Sequence, residues 1–250
     1  STIPDSIQAV IDSINLDQTL FIISSKTGGS IETNSLYMFF RSLVQKSTKQ
    51  ETIGERFIAI TDKESPLHKI ALEHRFRKII LNPPDIGGRF SVLSAFGLLP
   101  ATLTGIDTEL LVQRAKVMQR SCLQEVPIEK NPAALLGSAI GSLGVRGRDK
   151  LTLIASPSLR SFGIWVEQML AESTGKDGRG IIPINEEPLS SPSTYGKDRL
   201  FVYLRLSGDE NEDLDNFIKE IQISGHPCIQ LNLNDKYDLS GEFYLWQFAT

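Results

Sequence analysis

The 250 residues are 40% apolar and 22% charged, a globular composition with room for one large or two ordinary domains and a sizeable core. Thirty acidic against 26 basic residues leave a net charge of −4, which excludes a broad electrostatic platform for nucleic acid or anionic membrane; a small anionic substrate would need a local positive site. Two cysteines, Cys122 and Cys228, and three dispersed histidines, His68, His74 and His226, argue against a disulfide framework and a zinc centre. No apolar run reaches about 18 residues and no signal peptide is evident, so the expected location is the cytoplasm.

Pro4 suits a first helical turn, and Ile7, Val10, Ile11 and Ile14 share one face, predicting a helix over 3–14. A β-rich run, Thr19 to Ser24, then empties into Ser25-Lys26-Thr27-Gly28-Gly29-Ser30, and an amphipathic helix follows from Ile31 to about Lys49. Backbone N–H groups at a helix start, hydroxyls of Ser25, Thr27 and Ser30 and the charge of Lys26 make this loop a candidate phosphate cradle, with Gly28 and Gly29 letting a ligand approach the backbone. It is not the nucleotide P-loop, whose Gly-x-x-x-x-Gly-Lys pattern is absent; the alternative is an ordinary capped turn.

Arg56 to Thr61 and Lys78 to Leu81 read as strands around a helix that Pro66 opens and that ends near His74, where both His68 and His74 are expected at the solvated surface. Asn82-Pro-Pro-Asp-Ile-Gly-Gly-Arg-Phe-Ser91 follows the second of these strands directly. It should lie at the carboxyl edge of a parallel sheet, with Gly88 giving backbone access and Arg89 a fixed charge that can stabilise an anion; a structural pair between Arg89 and Asp85 is the alternative. Residues 92–124 read as helical, broken around Gly97 to Pro100 and near Gly105.

Pro127 and Pro132 place the domain boundary within Gln124–Asn131, giving domains 1–125 and 126–250. The second half repeats the alternation: a helix over 131–146, strands at 151–155, 180–184, 200–204 and 228–233, and helices at 159–173 and 210–224. The fold class is therefore α/β, with doubly wound parallel sheets flanked by helices. In the helix over 159–173, Gln168 and Glu172 stand four apart on one face, and Gly175 reads as its C-cap. A carboxylate near a helix C-terminus has its ionisation disfavoured, which moves it toward the range of a general base; a solvated Glu172 paired with Lys176 is the alternative. The acidic cluster from Asp209 to Asp215 suits a helix start, and His226 lies at a strand entrance. The chain starts without Met and finishes in the apolar run Gly241–Thr250 with no stop signal behind it, which leads to the expectation of a piece of a longer protein.

These motifs resemble the glucose-6-phosphate isomerase family, above all the isomerase half of fused transaldolase/glucose-6-phosphate isomerase proteins. Asp85-Ile-Gly-Gly-Arg-Phe-Ser-Val-Leu-Ser-Ala95 is similar to a family signature, Ser25–Thr33 to its phosphate loop, and Gln168-x-x-x-Glu172-Ser-x-Gly-Lys176 to the segment bearing its base. The resemblance implies two sugar-isomerase (SIS) domains with the site between them, usually completed by a dimer mate. It implies that Ser25, Lys26, Thr27 and Ser30 hold a sugar phosphate, that Gly88, Arg89 and Gln168 line the pocket, and that Glu172 is the base. Gly29 stands where the family has a Thr, so one phosphate donor is lost, and Ser30 replaces another. The family's ring-opening His is displaced here, and His226 is the residue nearest to filling that role. The implied reaction is interconversion of glucose 6-phosphate and fructose 6-phosphate, with no metal or organic cofactor. Action on mannose 6-phosphate as well, or a non-catalytic phosphosugar-binding module, are the other readings.

Overall fold

The computed structural model describes residues 2–47 and 50–250, which fall into two compact units, Ser1–Gly105 and Ile106–Thr250. The first unit holds a three-stranded parallel sheet in the order β1-β2-β3, formed by Phe21–Ser24, Phe57–Thr61 and Lys78–Leu81. Its helices are α1 (Pro4–Ser13), α2 (Ile31–Ser47), α3 (Pro66–Glu73) and α4 (Ala95–Leu103). The last two residues of the helix expected over 31–49 lie outside the described residues.

Two successive right-handed crossovers that step the same way put α2 and α3 on one face of this sheet. There Tyr37 and Val44 of α2, Leu67 and Ala71 of α3, and Phe57 and Ala59 of β2 form one buried cluster with Phe76. The middle strand β2 is buried along its whole length, as a strand paired on both edges should be. His74, expected at the surface, joins this cluster: its Nδ1 bonds the Tyr37 hydroxyl and its ring stacks on Tyr37 at 5.9 Å. Burial holds His74 below the usual histidine range and pushes Tyr37 up to about 12. His68 is also used locally, its Nδ1 accepting from Glu64 N–H at 3.0 Å.

The break expected at Gly97–Pro100 does not occur, and α4 runs through both residues. Gly97 is there for packing, since a Cβ on it would stand 1.9 Å from the Val92 carbonyl oxygen. Pro100 forfeits a single helical N–H bond, which the rest of the helix carries.

The second unit has a four-stranded parallel sheet in the order β5-β4-β6-β7, formed by Lys150–Ala155 (β4), Ile182–Asn185 (β5), Arg199–Leu206 (β6) and Cys228–Leu233 (β7). Around it lie α5 (Thr108–Ser121), α6 (Pro132–Val145), α7 (Arg160–Thr174), α8 (Glu212–Ile223) and α9 (Leu239–Ala249). The crossovers through α7 and α8 step in opposite directions, so the two helices cover opposite faces. On the α8 face Phe201, Tyr203 and Ile154 pack on Phe217, Ile218 and Ile221. Phe162 and Trp165 of α7 meet Phe243 of α9 at 5.2 and 4.9 Å.

The units divide after Gly105, some twenty residues before the boundary read from the prolines. The reason lies in α5, which packs along α9. Arg114 pairs with Asp235 at 3.1 Å and with Asp238 at 3.2 Å, and Gly241 of α9 lies against Met118. Tertiary packing here outweighs the local punctuation at Pro127 and Pro132. Among the described residues, no helix is long and apolar enough to cross a membrane.

Glu242 on α9 is only 6% exposed, and its Oε2 has no hydrogen-bond partner among the described residues. Burial pushes its carboxyl up to about 7 from 4.5. A raised carboxyl contributes stability that is fully present below the unfolded value and is lost as pH rises through the folded one. Glu242→Gln, neutral and of the same shape, should therefore raise Tm at pH 8, by up to about 3 kcal/mol of stability, and leave it nearly unchanged at pH 4.5. Scanning calorimetry at the two pH values checks this, and an equal shift at both would contradict it.

Candidate active site

Because β1, β2 and β3 are parallel, the loops that leave them emerge at one edge of the first sheet. They interlock there. Ser25 N–H donates to the Ile60 carbonyl at 3.0 Å and Asn82 N–H to the Thr61 carbonyl at 2.9 Å. The Lys26 carbonyl accepts from Asp62 N–H at 3.1 Å and from the Thr61 hydroxyl at 3.2 Å. Lys26 Nζ donates to Asp62 Oδ2 at 2.6 Å and to the Pro84 carbonyl at 2.9 Å. The loop bearing Ser25, Lys26, Thr27 and Ser30 is thus tied to the loop leading to Gly88 and Arg89.

Within the cradle the hydroxyls are part of the turn. Gly28 N–H donates to Ser25 Oγ at 3.0 Å, Gly29 N–H to Thr27 Oγ1 at 3.3 Å, and Ser30 Oγ to Thr33 Oγ1 at 2.8 Å. The Ser30 carbonyl accepts the first bond of α2, from Asn34 N–H at 3.2 Å. Ser25 and Lys26 are half-buried, whereas Thr27 and Ser30 are exposed.

Gly28 departs from its expected role. It is buried with φ +67°, and a Cβ would stand 2.3 Å from Leu67 N, so the start of α3, not a ligand, demands glycine there. Gly29 and Gly88 are open. A Cβ on Gly88 would meet nothing within 4 Å, so the backbone of the short 3-10 turn Gly88–Phe90 is accessible beside the half-buried Arg89. Ser91 Oγ holds that turn by donating to the Gly88 carbonyl at 2.7 Å.

In the second unit Gln168 and Glu172 share the exposed face of α7, and Gln168 Nε2 donates to Glu172 Oε1 at 3.1 Å. The helix ends two residues later. Thr174 Oγ1 donates to the Leu170 carbonyl and accepts from Ile181 N–H, and Gly175 N–H caps Ala171, so the segment past Glu172 is fixed. A crossover helix runs opposite to its strands, so this end of α7 lies at the amino edge of the second sheet. A cleft of about 1040 Å³ opens beside it, lined by Gly141, Gly144, Glu167, Ala171 and Thr174, one position round the helix from Gln168 and Glu172.

His226 is not brought to Glu172 within this unit. It follows α8 and packs edge-on against Phe201 at 5.5 Å and Tyr195 at 6.4 Å, on the sheet face opposite α7. Its Nδ1 is buried without a partner among the described residues. The ring is half-buried and packs on the α8 face.

The carboxyl edge of the second sheet is closed by the chain's own polar groups. Ser156 Oγ donates to Asn211 Oδ1 at 2.6 Å, and Ser158 N–H donates to Asp209 Oδ2 at 2.8 Å, which holds the Asp209 carboxyl below its usual range. A cleft of about 910 Å³ lies there, but Asp209, Glu210, Glu212, Asp213 and Asp215 outnumber Arg160, Arg205 and Lys219 in its lining. Arg205 is already held by Asp215 through two bonds of 2.8 and 2.9 Å. That balance favours no anion.

Asp62 was missed in the sequence. It directly follows the middle strand, and continuing the parallel register Ser24↔Ile60 places it beside Lys26, two residues past β1, which is the signal that could have found it.

Residues 3–184 match the family model described as phosphoglucose isomerase. A probable glucose-6-phosphate isomerase of Methanococcus maripaludis is 30% identical over 233 residues, covering 89% of this chain and 52% of that protein. A glucose-6-phosphate isomerase of Parabacteroides distasonis is 33% identical over 176 residues, covering 69% of this chain and 39% of that one. The chain spans about half the length, or less, of these curated relatives. The crystal structure of a glucose-6-phosphate isomerase from Chlamydia trachomatis shares the fold, with a TM-score of 0.78 at 20% identity over 100% of this chain and 57% of that one.

Gly28→Ala should destabilise the first unit by about 2 kcal/mol or more, through the left-handed backbone and the contact with Leu67. Urea unfolding measures this, and a loss no larger than that of Gly29→Ala would contradict the assignment.

Proposed function

Since the chain belongs to the phosphoglucose isomerase family, we propose that it carries the phosphate cradle and the base of a glucose-6-phosphate isomerase. The observation that carries this reading is the anchored loop of the first unit, in which Lys26 Nζ and three hydroxyl residues are held at the carboxyl edge of a parallel sheet. The substrate is a hexose 6-phosphate, with its phosphate at Ser25, Lys26, Thr27 and Ser30. Binding at this remote end fixes the position of the reacting carbons.

The chemistry is a proton shift between neighbouring carbons of the open-chain sugar. The Glu172 carboxylate takes the proton from C2 of the aldose while the aldehyde oxygen gains negative charge, which forms an enediolate. The same group returns the proton to C1, while the proton of the C2 hydroxyl passes to the negatively charged oxygen on C1, so that C1 ends as the alcohol and C2 as the ketone. Substrate and product have the same atoms and the same redox balance, so nothing is consumed. Arg89, beside the accessible backbone of Gly88, offsets the enediolate charge. Gln168, bonded to Glu172, orients the carboxylate and lines the pocket. A homodimer, a fused transaldolase domain and a cytoplasmic location belong to the same reading. Their support is the sequence resemblance.

Calorimetric titration with a non-reactive sugar-acid phosphate tests the assignment. Lys26→Ala should weaken binding about tenfold or more, while Glu172→Gln should bind within about threefold of the parent and lower kcat of the full-length protein on the order of 1,000-fold. Turnover retained in Glu172→Gln would remove it as the base and favour a phosphosugar-binding module.

A further inference from the structure

Asp62 touches Lys26 twice, through its backbone and through its side chain. Its N–H donates to the Lys26 carbonyl at 3.1 Å, and its Oδ2 accepts from Lys26 Nζ at 2.6 Å. The preceding Thr61, fully buried, adds a hydroxyl bond to the same carbonyl and a second to Ser65 Oγ, which caps α3. Asp62 is therefore mounted on the rigid end of the middle strand and cannot follow Lys26 if it moves. The lysine side chain, by contrast, has four rotatable bonds and no fixed direction of its own.

An ammonium has three N–H donors. Asp62 Oδ2 takes one and the Pro84 carbonyl a second, which leaves one for a ligand. The ion pair is partly buried, with side-chain exposures of 26% for Lys26 and 21% for Asp62. Asp62 Oδ1 is buried with no partner among the described residues, so no other cation competes for this carboxylate. Such an arrangement costs anion affinity, because a carboxylate beside the cradle cancels the lysine charge that would attract phosphate. A loop built for charge attraction alone would not contain it. What the pair contributes is direction.

We propose that Asp62 is a positioning residue for the phosphate cradle, one that aims the remaining N–H of Lys26 and trades attraction for register between the phosphate and the reacting end of the sugar. This rests on reading the loop as a phosphate cradle. The geometry separates two ligands. Inorganic phosphate needs only charge and donors, whereas a sugar phosphate also needs the phosphate held at a set place relative to Gly88 and Arg89.

Calorimetry with inorganic phosphate and with a sugar-acid phosphate tests it, on the parent, Asp62→Asn, Asp62→Glu, Lys26→Ala and the double variant. Asp62→Asn should weaken the sugar-acid phosphate about tenfold and leave inorganic phosphate unchanged or tighter, with a steeper salt dependence. Asp62→Glu, which keeps the charge, should recover part of the loss. In the Lys26→Ala background Asp62→Asn should weaken neither ligand further, and removal of the unpaired carboxylate should leave both unchanged or tighter. Equal weakening of both ligands by Asp62→Asn, or additive losses in the double variant, would overturn the proposal and mark a purely structural role. An effect of Lys26→Ala without one of Asp62→Asn would overturn the positioning role alone, and no effect of Lys26→Ala would overturn the cradle and the positioning role together.

Discussion

Parallel pairing of β1, β2 and β3 is the constraint on which the first unit depends. It sends the ends of three strands to one edge, and there each loop is bonded to its neighbour: Ser25 to Ile60, Asn82 to Thr61, and Lys26 to both Asp62 and Pro84. None of these bonds is local in sequence. Lys26 and Pro84 are 58 residues apart, and they meet because two parallel crossovers bring their strands to one edge. The hydrophobic cluster around Phe57 and Tyr37 holds those crossovers in place, so packing below the sheet fixes the polar geometry above it.

The second unit uses the same frame for another purpose. The loop after its first strand, β4, is bonded within the unit, with Ser158 N–H meeting Asp209 and Ser156 meeting Asn211. The edge is filled from within and its cleft is acid-rich. The residues proposed as the base and its partner stand instead on α7, where Gln168 and Glu172 are presented four residues apart near a helix end closed by Thr174 and Gly175. Two sheets of one class therefore offer different groups, a set of hydrogen-bond donors in one and a carboxylate in the other. The proposed proton shift uses both.

Much of this was legible in the residues. The strands Lys78–Leu81 and Cys228–Leu233 follow from short β-branched and aliphatic runs, and Pro66 and Asp107 mark helix starts because their chemistry is local. The i,i+4 spacing of Gln168 and Glu172 translated directly into a hydrogen bond. What stayed hidden was set by distant contacts. Gly28 looked like a ligand-access glycine until Leu67 came to lie against it. Lys26 looked free because its partner is 36 residues away. The division of the chain moved for the same reason, as α5 is held by Asp235 and Asp238 near the other end.

In the proposed reaction Glu172 moves a proton between neighbouring carbons of a sugar whose phosphate the first unit holds. Exchange of the C2 hydrogen of glucose 6-phosphate with deuterated water, followed by NMR on the full-length protein, tests it most directly. Exchange is expected in the parent protein, with its loss, on the order of 1,000-fold, in Glu172→Gln. Exchange at the parent rate in Glu172→Gln would contradict it.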